Sequence, residues 1–289
     1  MYFRFIALGE RVLESPFAVL LLPISWVWRF CTYLRSLRSV EKVSVPVVSV
    51  GNLAVGGTGK TPFVIAIAKQ FEGRRVAILS RGYGGDEMKV IRRHLPNAQC
   101  YEDPDRVRSA KKAVEEGAEL ILLDDGFQYR RLHRDFDLVL SRSQDAADWV
   151  MPCGKLREPI SALQRADAVF SHCKAKVTRV VTLQGEEVSL QGCKVGIFCG
   201  IGHPERFKKT VESLGAEIVG ELILADHEPV DLNNLKCLSV RYLVCTEKDA
   251  VKLPPTTLPI VIVEIEMDPA EDLALWQNMV AKIGQKLNN

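Results

Sequence analysis

Residues 56–61, Gly-Gly-Thr-Gly-Lys-Thr, have the types and spacing needed to bind a chain of phosphates. Gly56, Gly57 and Gly59 allow the backbone to curl until successive N–H groups point at one anion. Lys60 adds a positive charge against the β- and γ-phosphates, and Thr61 offers a hydroxyl to Mg²⁺. The stretch therefore predicts a nucleotide-binding loop.

The loop departs at one position from the pattern G-x-x-x-x-G-K-[ST], because Ala54 stands in place of the first glycine. A simple glycine-rich turn is the alternative interpretation. However, the β-branched run before the loop predicts a strand, and the segment after it predicts a helix whose dipole adds to the anion site. This context favours nucleotide binding by Gly56, Gly57, Thr58, Gly59, Lys60 and Thr61.

Two acids, Asp124 and Asp125, directly follow the apolar run Leu120–Leu123. Carboxylates at the end of such a strand are suited to bind Mg²⁺ or its waters beside a phosphate loop. Aspartates also start turns, so the pair alone leaves both interpretations open. Together with the phosphate loop, the pair predicts a metal site formed by Thr61, Asp124 and Asp125.

The elements that must position these residues alternate between strand and helix. One alternation runs from residue 46 to about residue 171, and a second runs from residue 194 to the end. This pattern predicts α/β architecture with mostly parallel sheets, and with ligands outside the carboxyl ends of the strands. We expect an N-terminal helix at 1–45, a P-loop NTPase-like domain at 46–173, a β linker at 174–192, and a second, smaller α/β domain at 193–289.

The uncharged segment PFAVLLLPISWVW (16–28) has 13 residues, whereas a membrane-crossing helix needs about 20. Six basic and three acidic residues surround it within positions 1–45, and Trp26, Trp28 and Tyr33 lie near the basic ones. A helix packed on the core of the main domain is one interpretation. We favour an amphipathic helix that lies on a membrane surface.

Composition excludes some classes of partner. The 38 Lys and Arg residues nearly balance the 36 Asp and Glu residues, so nucleic acid is not an expected partner. The eight cysteines form no C-x-x-C pair, which favours reduced core thiols over a disulfide framework or a zinc site. No feature predicts an obligate protein partner.

Eight stretches resemble one family, in order, over almost the whole chain after the N-terminal segment. They are VPVVSVGNLAVGGTGKTP (45–62), LSRGYGG (79–85), GDE (85–87), DDGFQ (124–128), LHRD (132–135), LREP (156–159), the pair Asp226-His227, and TEKDAVKL (246–253). This set resembles the tetraacyldisaccharide 4′-kinases, the lipid A 4′-kinases of Gram-negative bacteria. The loop of that family also lacks the first glycine.

The resemblance implies ATP- and Mg²⁺-dependent phosphorylation of the 4′-hydroxyl of a tetraacylated glucosamine disaccharide 1-phosphate. It also implies a peripheral protein at the cytoplasmic face of the bacterial inner membrane. Lys60 matches the phosphate-binding lysine, Asp86 the catalytic aspartate, and His227 the histidine that pairs with it. An alcohol nucleophile needs a base within hydrogen-bond reach, and a carboxylate oriented by an imidazole supplies one.

Further residues fall in matching motifs without an individual role, namely Arg81, Arg106, Gln128, Arg157 and Glu158. On residue type alone, Asp86 would be a helix cap and His227 a turn residue. SRGYGG and GDE share Gly85 here, whereas some tens of residues usually separate them in the family, which affects efficiency more than reaction type. The alternative functions are a nucleotide-dependent membrane-surface switch or another P-loop small-molecule kinase.

Overall fold

The computed structural model describes residues 23–28, 30, 39–55, 59–82, 85–141, 145, 148–171, 174–225, 228, 230–231, 233, 240–269 and 272–288. Four of the residues predicted to form the site, Gly56, Gly57, Thr58 and His227, lie outside these ranges. Most of the predicted N-terminal helix at 1–45 also lies outside them.

The first sheet has six parallel strands in the order β3-β2-β4-β1-β5-β6. The strands are β1 (Val47–Asn52), β2 (Val76–Ser80), β3 (Gln99–Glu102), β4 (Leu120–Asp124), β5 (Phe136–Leu140) and β6 (Ala168–Phe170). The helices are α1 (Lys60–Lys69), α2 (Asp86–His94) and α3 (Arg106–Glu115), with a 3₁₀ helix at Ile160–Arg165 before β6. The prediction of a mostly parallel α/β sheet is confirmed.

Alternate residues of the central strands build separate cores on the two faces of this sheet, as the pleat requires. Val48 and Val50 of β1 join the cluster that contains Phe63 of α1. Val47 joins the opposite cluster, which contains Val107 of α3. The sequence pattern does not predict β3, because Gln99–Glu102 is a short, partly exposed strand at the sheet edge.

The second sheet has five strands in the order β7-β11-β10-β8-β9. They are β7 (Lys174–Thr182), β8 (Lys194–Cys199), β9 (Glu217–Ile223), β10 (Tyr242–Thr246) and β11 (Ile260–Asp268), with helices α4 (Pro204–Ser213) and α5 (Glu247–Ala250). The pairing is parallel except that β7 runs antiparallel to β11. The expected linker at 174–192 therefore begins with an edge strand of the second sheet, because β11 offers β7 a hydrogen-bonding edge.

The last helix, α6 (Leu273–Leu287), packs on the first sheet although it follows the strands of the second. Its buried residues Trp276, Met279 and Ile283 belong to the same cluster as Phe63 and Phe170. Trp276 meets the ring of Phe63 edge-on, with centroids 5.3 Å apart. The chain after β11 thus returns to the first core, which differs from the expectation of one C-terminal unit at 193–289.

Residues 23–28 are helical and lie against the loop before β6. Ser25 Oγ donates a hydrogen bond to the carbonyl of Val150 at 2.9 Å, and Trp28 Nε1 donates to the carbonyl of Arg157 at 3.1 Å. The side chains of Trp26 and Val27 are exposed. Among the helices in the described ranges, none combines the length and apolar character that a membrane crossing requires.

Candidate active site

The predicted site residues gather at the carboxyl ends of β1 and β4, which are neighbours in the first sheet. The chain leaves β1 toward β2 on one side, while β5 pairs with the other side of β1. Ligand sites of open α/β sheets form at such a point, where successive connections diverge. Gly59 stands at the start of α1 with a left-handed φ of 81°, which a glycine adopts without strain.

Lys60 points from the first turn of α1 toward polar groups at both strand ends. Its Nζ lies 3.3 Å from Asn52 Oδ1 at the end of β1 and 3.5 Å from Asp125 Oδ1 after β4. Gln128 contacts the same strand end, because its Nε2 donates to the carbonyl of Asn52 at 2.8 Å. Asn52 therefore connects two predicted residues, although sequence reasoning assigned it no role.

The ends of β1 and the DDGFQ turn approach each other closely. A Cβ added to Gly51 would lie 2.5 Å from Cβ of Phe127, a separation that real Cβ atoms do not tolerate. Phe127 itself is fully buried. Glycine at position 51 therefore allows the turn that carries Asp125 to reach the phosphate-loop strand.

Asp124 ends β4 inside the protein and faces the hydroxyl of Thr61. Its side chain is 2% exposed, and Thr61 Oγ1 donates to its Oδ2 at 3.4 Å. Burial, reinforced by the nearby Glu87 carboxylate and only partly opposed by Lys60, raises the pKa of Asp124 to about 7. Burial disfavours the charged form of this carboxyl, so a bound cation would stabilise the ionised form.

Asp125 has the opposite electrostatic environment. Its backbone is left-handed, with φ of 54°, and Arg157 Nη1 donates to its Oδ2 at 2.7 Å. Burial opposes ionisation, but the charges of Lys60 and Arg157 outweigh it and lower the pKa of Asp125 to about 2. Asp125 is therefore a charged partner for two cations, whereas Asp124 faces the threonine hydroxyl.

The donor set fits a magnesium ion that is shared with a nucleotide. The described residues contain no group of three or more His, Cys, Asp or Glu side chains arranged to hold a metal. Mg²⁺ in phosphate-transfer sites is held by one or two protein oxygens, substrate phosphates and water, rather than by an all-protein cage. Thr61 Oγ1 and Asp124 Oδ2, which lie 3.4 Å apart, are two oxygens of the kind that such a site uses.

Asp86 is the first residue of α2 and is 1% exposed. The cap position is occupied by Gly85, which has a φ of 70°, and no side chain caps the helix. Asp86 is thus a buried acid inside the first turn rather than the cap that residue type alone suggests. Its Oδ2 lies 3.8 Å from Nζ of Lys248, at the start of α5 beside the second sheet.

Two of the three predicted arginines contact Asp125. Arg106 is buried, donates from Nη1 to the carbonyl of Asp125 at 2.8 Å, and lies over the ring of Tyr129. Arg157 also contacts Asp125, through its carboxylate. Arg81 is exposed.

Glu158 is buried away from these groups, in ion pairs with Arg130 at 2.8 Å and Arg165 at 3.0 Å. This geometry favours a structural role for Glu158. Lys248 lies in the matching stretch TEKDAVKL, but the motif alone assigns it no role.

Comparisons with known proteins agree with this geometry. The sequence model of the family Tetraacyldisaccharide-1-P 4'-kinase matches residues 17–284. A tetraacyldisaccharide 4'-kinase from Syntrophus aciditrophicus is 35% identical, covering 90% of this chain and 91% of the relative. The one from Aquifex aeolicus is 32% identical, with coverages of 81% and 89%.

A solved structure is also similar, namely the crystal structure of the "apo" form of LpxK from Aquifex aeolicus in complex with ATP. The TM-score is 0.77 at 28% sequence identity, and the alignment covers 91% of this chain and 99% of the other. The resemblance expected from the sequence motifs is confirmed. The chain belongs to the tetraacyldisaccharide 4'-kinase family.

Proposed function

We propose that this chain, an ATP-dependent kinase of tetraacyldisaccharide 1-phosphate in lipid A biosynthesis, uses Asp86 as the base of phosphoryl transfer. The kinase reaction is supported by the convergence at one sheet edge of Lys60, Thr61 and the buried Asp124 carboxyl. The role of Asp86 is supported by its burial in the first turn of α2. Glu87, next to Asp86, is close enough to raise the pKa of Asp124. Strand β2, which precedes α2, also pairs with β4. Both observations support the assignment of the first turn of α2 to the same site.

The nucleotide phosphates are assigned to Lys60 and the loop residues Gly56, Gly57, Thr58 and Gly59. Lys60 would exchange its contact with Asp125 for the phosphates, since Arg157 remains to pair with that carboxylate. Thr61 and Asp124 would hold Mg²⁺, and Asp125 would orient the two cations. When bound, Mg²⁺ neutralises charge on the phosphate oxygens.

In the chemical step, the oxygen of the 4′-hydroxyl attacks the γ-phosphorus as the bond to the β–γ bridging oxygen breaks. The hydroxyl proton passes to Asp86, ADP leaves, and the 4′-phosphate remains on the sugar. A carboxylate shielded from water suits this role, because it interacts strongly with a hydroxyl donor. His227, which lies outside the described residues, is proposed as the partner of Asp86.

An exposed apolar surface beside the site supports membrane association. Trp26 and Val27 in the N-terminal helix and Trp149 near Val150 expose 73%, 61% and 58% of their surface, and Ser25 joins the two segments through Val150. Exposed tryptophans of this kind suit the headgroup layer of a membrane. We propose a peripheral protein at the cytoplasmic face of the inner membrane, which takes its acceptor from the bilayer.

The test is transfer of labelled γ-phosphate from ATP to tetraacyldisaccharide 1-phosphate in mixed micelles. Asp86→Asn should retain ATP binding and lose transfer by about 10²- to 10⁴-fold. Lys60→Ala should lose both ATP affinity and transfer. The matched control is Glu205→Gln, which changes an acid in the first turn of α4, a helix that packs on the second sheet. It should retain ATP affinity and transfer.

Full transfer by Asp86→Asn would refute the base assignment. If the wild-type protein binds ATP but does not label the acceptor, then a nucleotide-dependent switch becomes the better explanation.

A further inference from the structure

The turn Thr246–Asp249, at the carboxyl end of β10, contacts both ends of α2 through two successive side chains. Glu247 Oε1 lies 2.5 Å from His94 Nε2 in the last turn of α2. Lys248 Nζ lies 3.8 Å from Asp86 Oδ2 and 3.9 Å from Glu87 Oε1 in the first turn. This turn of the second sheet therefore contacts the helix that contains the proposed base.

The charges on the two elements are complementary in only one orientation. The first turn of α2 contains the two acids, whereas its last turn contains Arg92, Arg93 and His94. Arg93 adds an ion pair of 2.6 Å with Glu264 of β11. Reversing α2 would bring like charges together, which is unfavourable at these distances.

The turn itself is held by a buried network. Asp249 is fully buried and accepts hydrogen bonds from Thr246 Oγ1 at 2.6 Å and from the backbone N–H of Gly200 at 3.0 Å. Lys252 forms an ion pair with the same carboxylate at 2.8 Å. Because these contacts fix the backbone on either side of it, Lys248 extends toward α2 from a rigid support.

The site otherwise contains several acids in a small volume. Glu87 follows Asp86 in the first turn of α2, and Lys248 Nζ lies 3.8 Å from the Asp86 carboxylate and 3.9 Å from that of Glu87. Asp86 is buried beside Glu87. A cation that approaches this group offsets the mutual repulsion and favours one orientation of each carboxylate.

We propose that Lys248 is a positioning residue that holds the Asp86 carboxylate in its reactive orientation and makes that orientation depend on the second sheet. This inference rests on the proposed role of Asp86 as the base. Lys248 acts through Asp86 and takes no proton itself. The second sheet thereby contributes to catalysis through a charge at its strand ends.

The experiment compares kcat and the KM for ATP in Lys248→Met and Lys248→Arg with the wild-type protein, using the full chain in mixed micelles. Lys248→Met should lower kcat by about 10- to 100-fold, the range expected when a reacting group is misplaced by about 1 Å, with the KM for ATP within about twofold. Lys248→Arg should restore most of kcat, because it keeps the charge. Binding of ATP and the thermal midpoint, measured on each variant, show that it is folded.

The matched control is Lys69→Met. Lys69, on α1 of the first sheet, forms an ion pair with Glu266 of β11 in the second sheet, and this ion pair does not involve Asp86. The kcat of this variant should stay within about twofold of wild type, since exposed ion pairs contribute little. Equal losses in Lys69→Met and Lys248→Met would overturn the proposal in favour of a general effect on sheet arrangement. A raised KM for ATP with unchanged kcat would also overturn it, because Lys248 would then bind the nucleotide directly.

A double-mutant comparison separates this inference from the function it rests on. In an Asp86→Asn background, Lys248→Met should cost less than about threefold further, because residues that act as a unit are not additive. A full further loss in that background would refute action through Asp86. An unimpaired Asp86→Asn would instead refute the base assignment itself.

Discussion

Replacing Asp124 by Asn should stabilise the metal-free protein at pH 8, although Asp124 is proposed to be essential for activity. The side chain is 2% exposed, and burial with the Glu87 charge raises its pKa from an ordinary 3.8 to about 7. The folded protein therefore binds a proton that the unfolded chain releases between these values. Ionised Asp124 costs stability, and this cost is absent below pH 3.8 and complete above pH 7.

The size of the effect follows from the window in which the two states differ. Between pH 5 and pH 7 each pH unit adds about 1.4 kcal/mol to the cost. The advantage of Asp124→Asn should therefore grow by about 3 kcal/mol from pH 5 to pH 8. This is an upper bound, because Lys60 can move closer to the ionised carboxylate. It corresponds to a relative rise of up to about 6 °C in the thermal midpoint.

The assay is thermal unfolding of wild type and Asp124→Asn in EDTA at pH 5 and pH 8, where comparison at each pH cancels the other titrating groups. Asp125→Asn is the matched control, because the pKa of Asp125 is lowered to about 2. Its ionised form stabilises the fold fully above pH 3.8, and this contribution is lost as the pH falls toward 2. Asp125→Asn should therefore destabilise the protein equally at pH 5 and pH 8.

Addition of Mg²⁺ and ATP should make the thermal midpoint of the wild type higher than that of Asp124→Asn, because a ligand stabilises the folded state that binds it. The wild-type midpoint should rise, whereas that of Asp124→Asn should rise less. If Asp124→Asn lowered the midpoint at pH 8 in EDTA as Asp125→Asn does, then Asp124 would be a stabilising ion-pair partner, and its assignment to the metal would be wrong.

Two further predictions concern α6 and the membrane surface. Trp276→Ala should lower the free energy of unfolding in urea by about 3–5 kcal/mol, because Trp276 is buried against Phe63. The control in the same helix is Leu273→Ala. Leu273 is 47% exposed, so this change should alter the free energy of unfolding by less than about 1 kcal/mol. Similar effects of both would contradict the packing of α6 on the first core. Combined Trp26→Ser and Trp149→Ser changes should weaken sedimentation with anionic vesicles by about tenfold, whereas Val219→Ser on the exposed face of β9 should not. Unchanged sedimentation of the double variant would contradict the membrane surface.

The first sheet and the grouping of Lys60 and Thr61 with the two acids at its edge were predictable because their signals are local. A β-branched run, a glycine loop and a lysine occur within 15 residues, and the acids follow an uninterrupted apolar strand. Parallel pairing of β1 and β4 then places the two motifs side by side. The difference between Asp124 and Asp125 was not predictable, since it depends on burial and on Arg157, which lies 32 residues away from Asp125.

The contacts between the two sheets lie beyond the reach of sequence patterns for the same reason. Lys248 and Asp86 are far apart in the chain, and the stretch around each of them is typical of an ordinary helix start. Helix α6 follows the second alternation and is amphipathic like any surface helix, so its sequence does not specify which core it covers. The contact of α5 with α2 and the packing of α6 on the first core are both set by the tertiary fold. The Cε atom of Met267 in β11 lies 2.9 Å from the position that a Cβ at Gly59 would occupy, so the second sheet borders Gly59 as well as Asp86.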